Sequence, residues 1–286
     1  GVGASSVQII VPFAAHLTPD AKRGQVVGNL MSGLMLGIML SRPIASLLTD
    51  LFGWHAVFIL SAGLMLLLAF VLYALLPSRQ PHNSNLKYSN LIISMWHLFV
   101  NTPILQRRAI YQGCLFGSFC LFWTATPLLL SGPEFRMSQT GIAIFALVGV
   151  AGAISAPFAG KAADRGWNLW ATTIAIAACS VSFILSHFFP VGSMSALIAL
   201  VFAAILLDAG VTANLVLGQR AIFALPQEFR GRLNGLYIAT IFVGGATGSA
   251  LGAWAFATGG WPLTSLVGFA LPAIAFAYFL TGRKVA

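Results

Sequence analysis

Apolar residues run along this chain in long stretches separated by short polar ones. Those long enough to cross a bilayer cover about 1–16, 25–49, 56–76, 109–130, 139–160, 168–189, 194–218, 233–258 and 262–280. A spanning helix needs about 20 residues at ~1.5 Å rise to match a ~30 Å hydrocarbon core. Strands of alternating polarity are absent, and backbone groups in lipid must be satisfied within the segment, so all nine are expected to be helices. The fold class is therefore all-α integral membrane. Pro12, Pro43, Pro127, Pro157 and Pro272 fall inside spans, where a membrane bundle tolerates them as kinks. The first stretch reaches only ~24 Å at that rise. It opens at Gly1 with no initiator Met and no charged n-region, so it reads as a cut span, not a signal peptide. The expectation is a fragment.

Composition agrees with the pattern. Charged residues are 7% of the 286 and mean hydropathy is +0.90, against roughly 25% charged in soluble proteins. The formal charge of +9 does not point to nucleic acid. Its basic residues lie scattered between apolar runs and form no phosphate-tracking stripe. They sort by topology instead. If the loops alternate sides, Lys22, Arg23, Arg79, Lys87, Arg107, Arg108, Lys161, Arg165, Arg220, Arg230, Arg232, Arg283 and Lys284 share one side. The other keeps Arg136, and Arg42 lies within a span. That side is expected to be cytoplasmic, with the C-terminus on it.

Residues 77–108 are unlike the other connections. They form a polar, Pro-punctuated linker carrying the amphipathic piece Leu91–Val100, whose plain reading is a membrane-surface helix. Three spans precede the linker and six follow it. An offset of 207 places Pro19 on Pro226, Arg23-Gly24 on Arg230-Gly231, Gly28 on Gly235, Gly37 on Gly244 and Gly53-Trp54 on Gly260-Trp261. This offset covers an even number of spans, so the repeats are parallel in topology, as in two-half transporters. Three further spans are then expected ahead of the nine.

With these residues in view, the chain resembles the major facilitator superfamily. The stretches PDAKRGQVVGNLMSGLMLG and PQEFRGRLNGLYIATIFVGG, each followed by Gly-Trp, look like its helix 4–5 and helix 10–11 corners. Gly160 to Gly166 (GKAADRG) resembles its G-x-x-x-D-R-x-G loop between helices 8 and 9. The nearest branch is that of drug:proton antiporters and arabinose-efflux-like permeases. Two departures stand out: the loop continues as Trp167-Asn168 without a basic pair, and Ser41-Arg42-Pro43 occupies the antiporter motif's Gly-Pro position.

The resemblance implies a major facilitator-type helical bundle with about nine of twelve helices, helices 4–12, present. Residues 1–76 would be the remnant of the N-terminal half (helices 4–6), 77–108 the cytoplasmic linker, and 109–286 the C-terminal half (helices 7–12). It also implies a secondary transporter working by alternating access, exporting a small molecule (a drug-like compound or a sugar) against proton entry. Such a protein would be a monomer in the cell inner membrane. Two alternatives stand beside it, an inactive truncated remnant and an uncoupled facilitator.

Several residues carry candidate chemistry. Asp208 is the acid deepest within a span, and an intramembrane carboxylate usually marks an ion or substrate path. Thr212 and Gln219 lie within about 40° of it on a helical wheel. Arg42 is the other intramembrane charge, able to snorkel or to pair with Asp50. Tyr237 lines the cavity or fills the core. Asp164 and Arg165 are the family's gating loop by resemblance, facing a helix start near Arg23-Gly24, with Arg230 its second-half counterpart. Asn214 is read as a bridge between helices.

Gly244, Gly248 and Gly252 form a small-residue face suited to close helix packing. Cys114, Cys120 and Cys179 have no metal-ligand spacing and read as packing residues, so neither a metal nor a cofactor is expected. His16, His55, His82, His97 and His187 sit at span ends or in the linker. No phosphate-binding GxxxxGK[ST], HExxH or GxSxG motif is present, so nothing suggests an enzyme. Partners are a small-molecule substrate, protons and the lipid bilayer.

Overall fold

A computed structural model describes residues 37, 40–41, 43–75, 88–149, 154–226 and 229–282. The first span with Pro12, the repeat positions Pro19 to Gly28, Arg23, Arg42, most of the polar linker, and Arg283-Lys284 lie outside the described residues. Every regular element among the described residues is a helix: α1 Pro43–Phe52, α2 Trp54–Leu75, α3 Tyr88–Asn101, α4 Pro103–Ser131, α5 Gln139–Leu147, α6 Ser155–Asp164, α7 Asn168–His187, α8 Met194–Phe223 and α9 Arg230–Leu280. Five of these are long and apolar enough to cross a membrane: α2, α4, α7, α8 and α9. The chain divides into two compact units.

The first unit comprises residues 1–82 and 139–147. Its α2 has no buried residue and is apolar on every side, which suits a helix surrounded by lipid or by other apolar helices. Ser46 Oγ donates to the Gln139 carbonyl at 3.2 Å, and Thr140 Oγ1 donates to Asp50. Those bonds tie α5 to α1. Within residues 139–160, expected as one span, the described residues form α5 and the start of α6.

The second unit comprises residues 83–138 and 148–286. Its frame is α4 packed along α9 and α7 packed along α8. Thr102 flanks the start of α4 and Pro103 takes its first turn, where the missing N–H is no loss. The helix therefore begins six residues before the apolar run expected at 109, and Arg107 and Arg108 belong to it, not to a loop. Gln106 Nε2 reaches back to the carbonyls of Phe99 and Val100 at 2.8 and 2.9 Å, capping the end of α3.

One side of α3 (Leu98, Phe99) packs on a core of Leu105, Ala109, Ile222, Leu233, Tyr237 and Ile241, and Arg232 donates to Ser94 Oγ at 3.0 Å. Ile92, Ile93, Trp96 and Val100 stay exposed.

The glycines of the repeat's Gly-Trp pairs share a positive φ. Gly53 (φ 80°) separates α1 from α2, and Gly260 (φ 61°, ψ −155°) breaks α9 into 230–259 and 261–280. Only glycine visits the latter region freely, and in both places Trp begins the next helix. Glycine also sets the α4–α9 contact. A Cβ on Gly244 would overlap the Gly113 carbonyl, one on Gly248 the Gly117 carbonyl, and one on Gly252 would stand 2.9 Å from Leu121 O. The two backbones touch directly, as the spacing-four glycines led one to expect.

Candidate functional site

The site lies on α8 and on the face of α4 turned toward it. Helix α8 is 30 residues long, capped where Ser193 Oγ accepts from Ala196 N at 3.1 Å. Asp208 sits about 21 Å along it at ~1.5 Å per residue, near the middle of the span. Asp208 is 6% exposed. Trp123 of α4 donates its indole N–H to Asp208 Oδ1 at 3.0 Å. An indole N–H can only donate, so Oδ1 is held as an acceptor. The ring is fixed edge-on against Phe122 and Phe119, with centroids at 5.6 and 6.5 Å. Behind α8, Ser155 Oγ of α6 donates to the Ala209 carbonyl at 2.9 Å. Gly210 lets α7 approach so closely that a Cβ there would fall 2.7 Å from Cys179 Sγ.

Further along α8, Asn214 Nδ2 donates to Gln112 Oε1 at 2.7 Å, and Gln112 Nε2 donates to the Val211 carbonyl at 3.2 Å. Asn214 bridges helices, as its position on a separate face suggested. One turn before Gln112, Arg108 is 3% exposed and donates to Thr172 Oγ1 of α7 at 2.8 Å. Tyr237 of α9 is fully buried among the apolar residues of the α3 core, its hydroxyl pressed onto Gly218 of α8. Thr212 and Gln219, on Asp208's stripe, are half-buried. The structure thus gathers Asp208 with Trp123, and Asn214 with Gln112. It places Tyr237 in the Arg108 neighbourhood, apart from Asp208's indole contact.

The loop motif is a tight helix-to-helix connection. Asp164 is the last residue of α6, Gly166 has φ 75°, and Trp167 N donates to Ala162 O at 2.9 Å. This is the six-to-one bond of a glycine-terminated helix. Arg165 is exposed and stacks over the Trp167 ring at 5.5 Å. Arg220, near the end of α8, donates to the Gly160 carbonyl at 3.2 Å, fastening the two helix ends together. Arg230 is the first residue of α9. Arg23 and Arg42 lie outside the described residues, and Asp50 accepts from Thr140. His187 Nδ1 lies 3.0 Å from Ser265 Oγ.

Sequence reasoning missed Trp123, Arg108 and Gln112. Trp123 is one of seven tryptophans in a strongly apolar chain. The signal for the other two was Pro103, which starts the helix early enough to put Arg108 and Gln112 at i and i+4 on one inward face.

Comparisons with known proteins accord with this architecture. The family described as Major Facilitator Superfamily matches residues 1–222. An uncharacterized transporter, YgaY of Escherichia coli O157:H7, is 36% identical over 91% of this chain and 65% of its own length. The chain therefore spans about two thirds of that relative. A multidrug resistance protein, MdtG of Escherichia coli (strain SMS-3-5 / SECEC), is 30% identical over 53% of this chain and 38% of its own. A probable sugar efflux transporter of Helicobacter acinonychis is 25% identical over 50% of this chain and 36% of its own. All three of these relatives are named as transporters or as a multidrug resistance protein. With its all-helical frame and several apolar spans, this multi-pass membrane chain belongs to the major facilitator superfamily.

Proposed function

We propose that the whole protein is a proton-coupled exporter of a small molecule, with Asp208 as the coupling carboxylate. The observation that carries this reading is an acid at mid-span, 6% exposed, whose Oδ1 accepts the Trp123 indole N–H. A carboxyl group in that setting exchanges a proton only when the conformation admits water, and alternating access supplies that admission in turn from each side. The cargo is a drug-like compound or a sugar, a choice supported by the names of MdtG and the Helicobacter relative. Asp164 and Arg165, with Arg23 and Arg230, serve the cytoplasmic gate, and Arg220 holds that loop by its Gly160 bond. The linker and C-terminus face the cytoplasm in the inner membrane, following the split of basic residues.

Asp208→Asn keeps shape and most hydrogen bonding while removing the titration. In inverted vesicles carrying the whole protein, the variant is expected to lose pH-gradient-driven transport by more than tenfold and to retain substrate counterflow. Loss of both activities would make Asp208 a substrate contact, and unchanged gradient-driven transport would make it a structural residue. Either result overturns the coupling role.

A further inference from the structure

We propose that Arg108, Thr172 and Tyr237 form a binding site for a small monovalent anion, of chloride or formate size, inside the second unit. Arg108 is permanently charged and 3% exposed, and its hydrogen bond goes to the neutral hydroxyl of Thr172. Tyr111 and Tyr237 stand close enough to interact with its charge, and among the described residues no carboxylate pairs with it. Tyr237 is fully buried, and its hydroxyl has no hydrogen-bond partner. Packing sets the ring, because Gly218 leaves space for its hydroxyl where any side chain would collide. Arg108 reaches Thr172 and interacts electrostatically with Tyr237, and guanidinium N–H, phenol O–H and threonine O–H groups can all donate.

Their positions add to this. Arg108, Thr172 and Tyr237 all lie near the N-terminal ends of their helices, within the first eight residues of α4, α7 and α9. Arg108 has Thr172 Oγ1 as an acceptor but no counter-charge among the described residues, and the Tyr237 O–H has no acceptor. A small anion supplies both, and a cation or an apolar ligand supplies neither.

The test is thermal unfolding of the purified chain in detergent, with chloride, nitrate, formate or gluconate as sole anion at constant ionic strength. Chloride, nitrate or formate at about ten times the dissociation constant should raise the midpoint by roughly 2–4 °C over gluconate. A response to formate alone would assign the site to a carboxylate ligand, and a response to all three to inorganic anions as well. Tyr237→Phe should lose most of the shift while unfolding no lower than wild type in gluconate, since it deletes an unpartnered hydroxyl. Arg108→Gln should lose the shift entirely, and Arg107→Gln should keep it. Equal wild-type midpoints in every anion, a full shift in Tyr237→Phe, or a shift lost in Arg107→Gln would each overturn the proposal.

Discussion

Helix α4 meets its two neighbours by different means. Against α9 it presents Gly113, Gly117 and Leu121 to Gly244, Gly248 and Gly252, and backbone meets backbone. Against α8 it presents Gln112 and Trp123 to Val211, Asn214 and Asp208, and polar side chains span the gap. The first contact is chemically inert and tolerates no added atom. The second depends on which atoms donate and accept. The coupling role proposed for Asp208 would use this contrast: the glycine seam keeps its shape while the carboxyl group beside the polar seam changes charge.

The most severe way to break this contrast is Gly248→Val. No rotamer removes the overlap with the Gly117 carbonyl, so the helices must separate. The expected cost is about 3 kcal/mol or more. Expression with size-exclusion chromatography should show little folded protein, and a normal monodisperse peak would mean that the seam is loose.

Trp123→Phe sharpens the polar side. It keeps an aromatic ring and deletes the N–H that reaches Asp208. A buried hydrogen bond to an ionisable group contributes about 1.5 kcal/mol, so gradient-driven transport should fall about tenfold. Folding should be nearly intact. A transport rate equal to wild type would show that the carboxyl group needs no aromatic support.

The smallest effect is expected at Asn214→Ala. Losing the bond to Gln112 costs about 1 kcal/mol, which a thermal shift should register as roughly 2–4 °C. Transport coupling should be unaffected, because these amides do not titrate. Loss of coupling here would move the working site along α8 from Asp208 to Asn214.

The long apolar helices among the described residues, the glycine face, the Gly-Trp repeat and the buried acid were legible because each is written in a short stretch of chain. Hydropathy and residue spacing act within one helix, and a glycine's freedom is its own. The partners were not legible in this way. Trp123 and Asp208 lie 85 residues apart, and Arg108 and Thr172 lie 64 apart. Which tryptophan meets the acid depends on the depth and crossing of antiparallel helices, and small-residue packing elsewhere sets both. Arg108 shows the same limit from the other side. As a letter beside Arg107 it belonged with the basic flanks, and only the early start of α4 at Pro103 and the approach of α7 and α9 turned it inward. Local chemistry determined what each helix is, and the packing of distant helices decided which polar atoms share the interior.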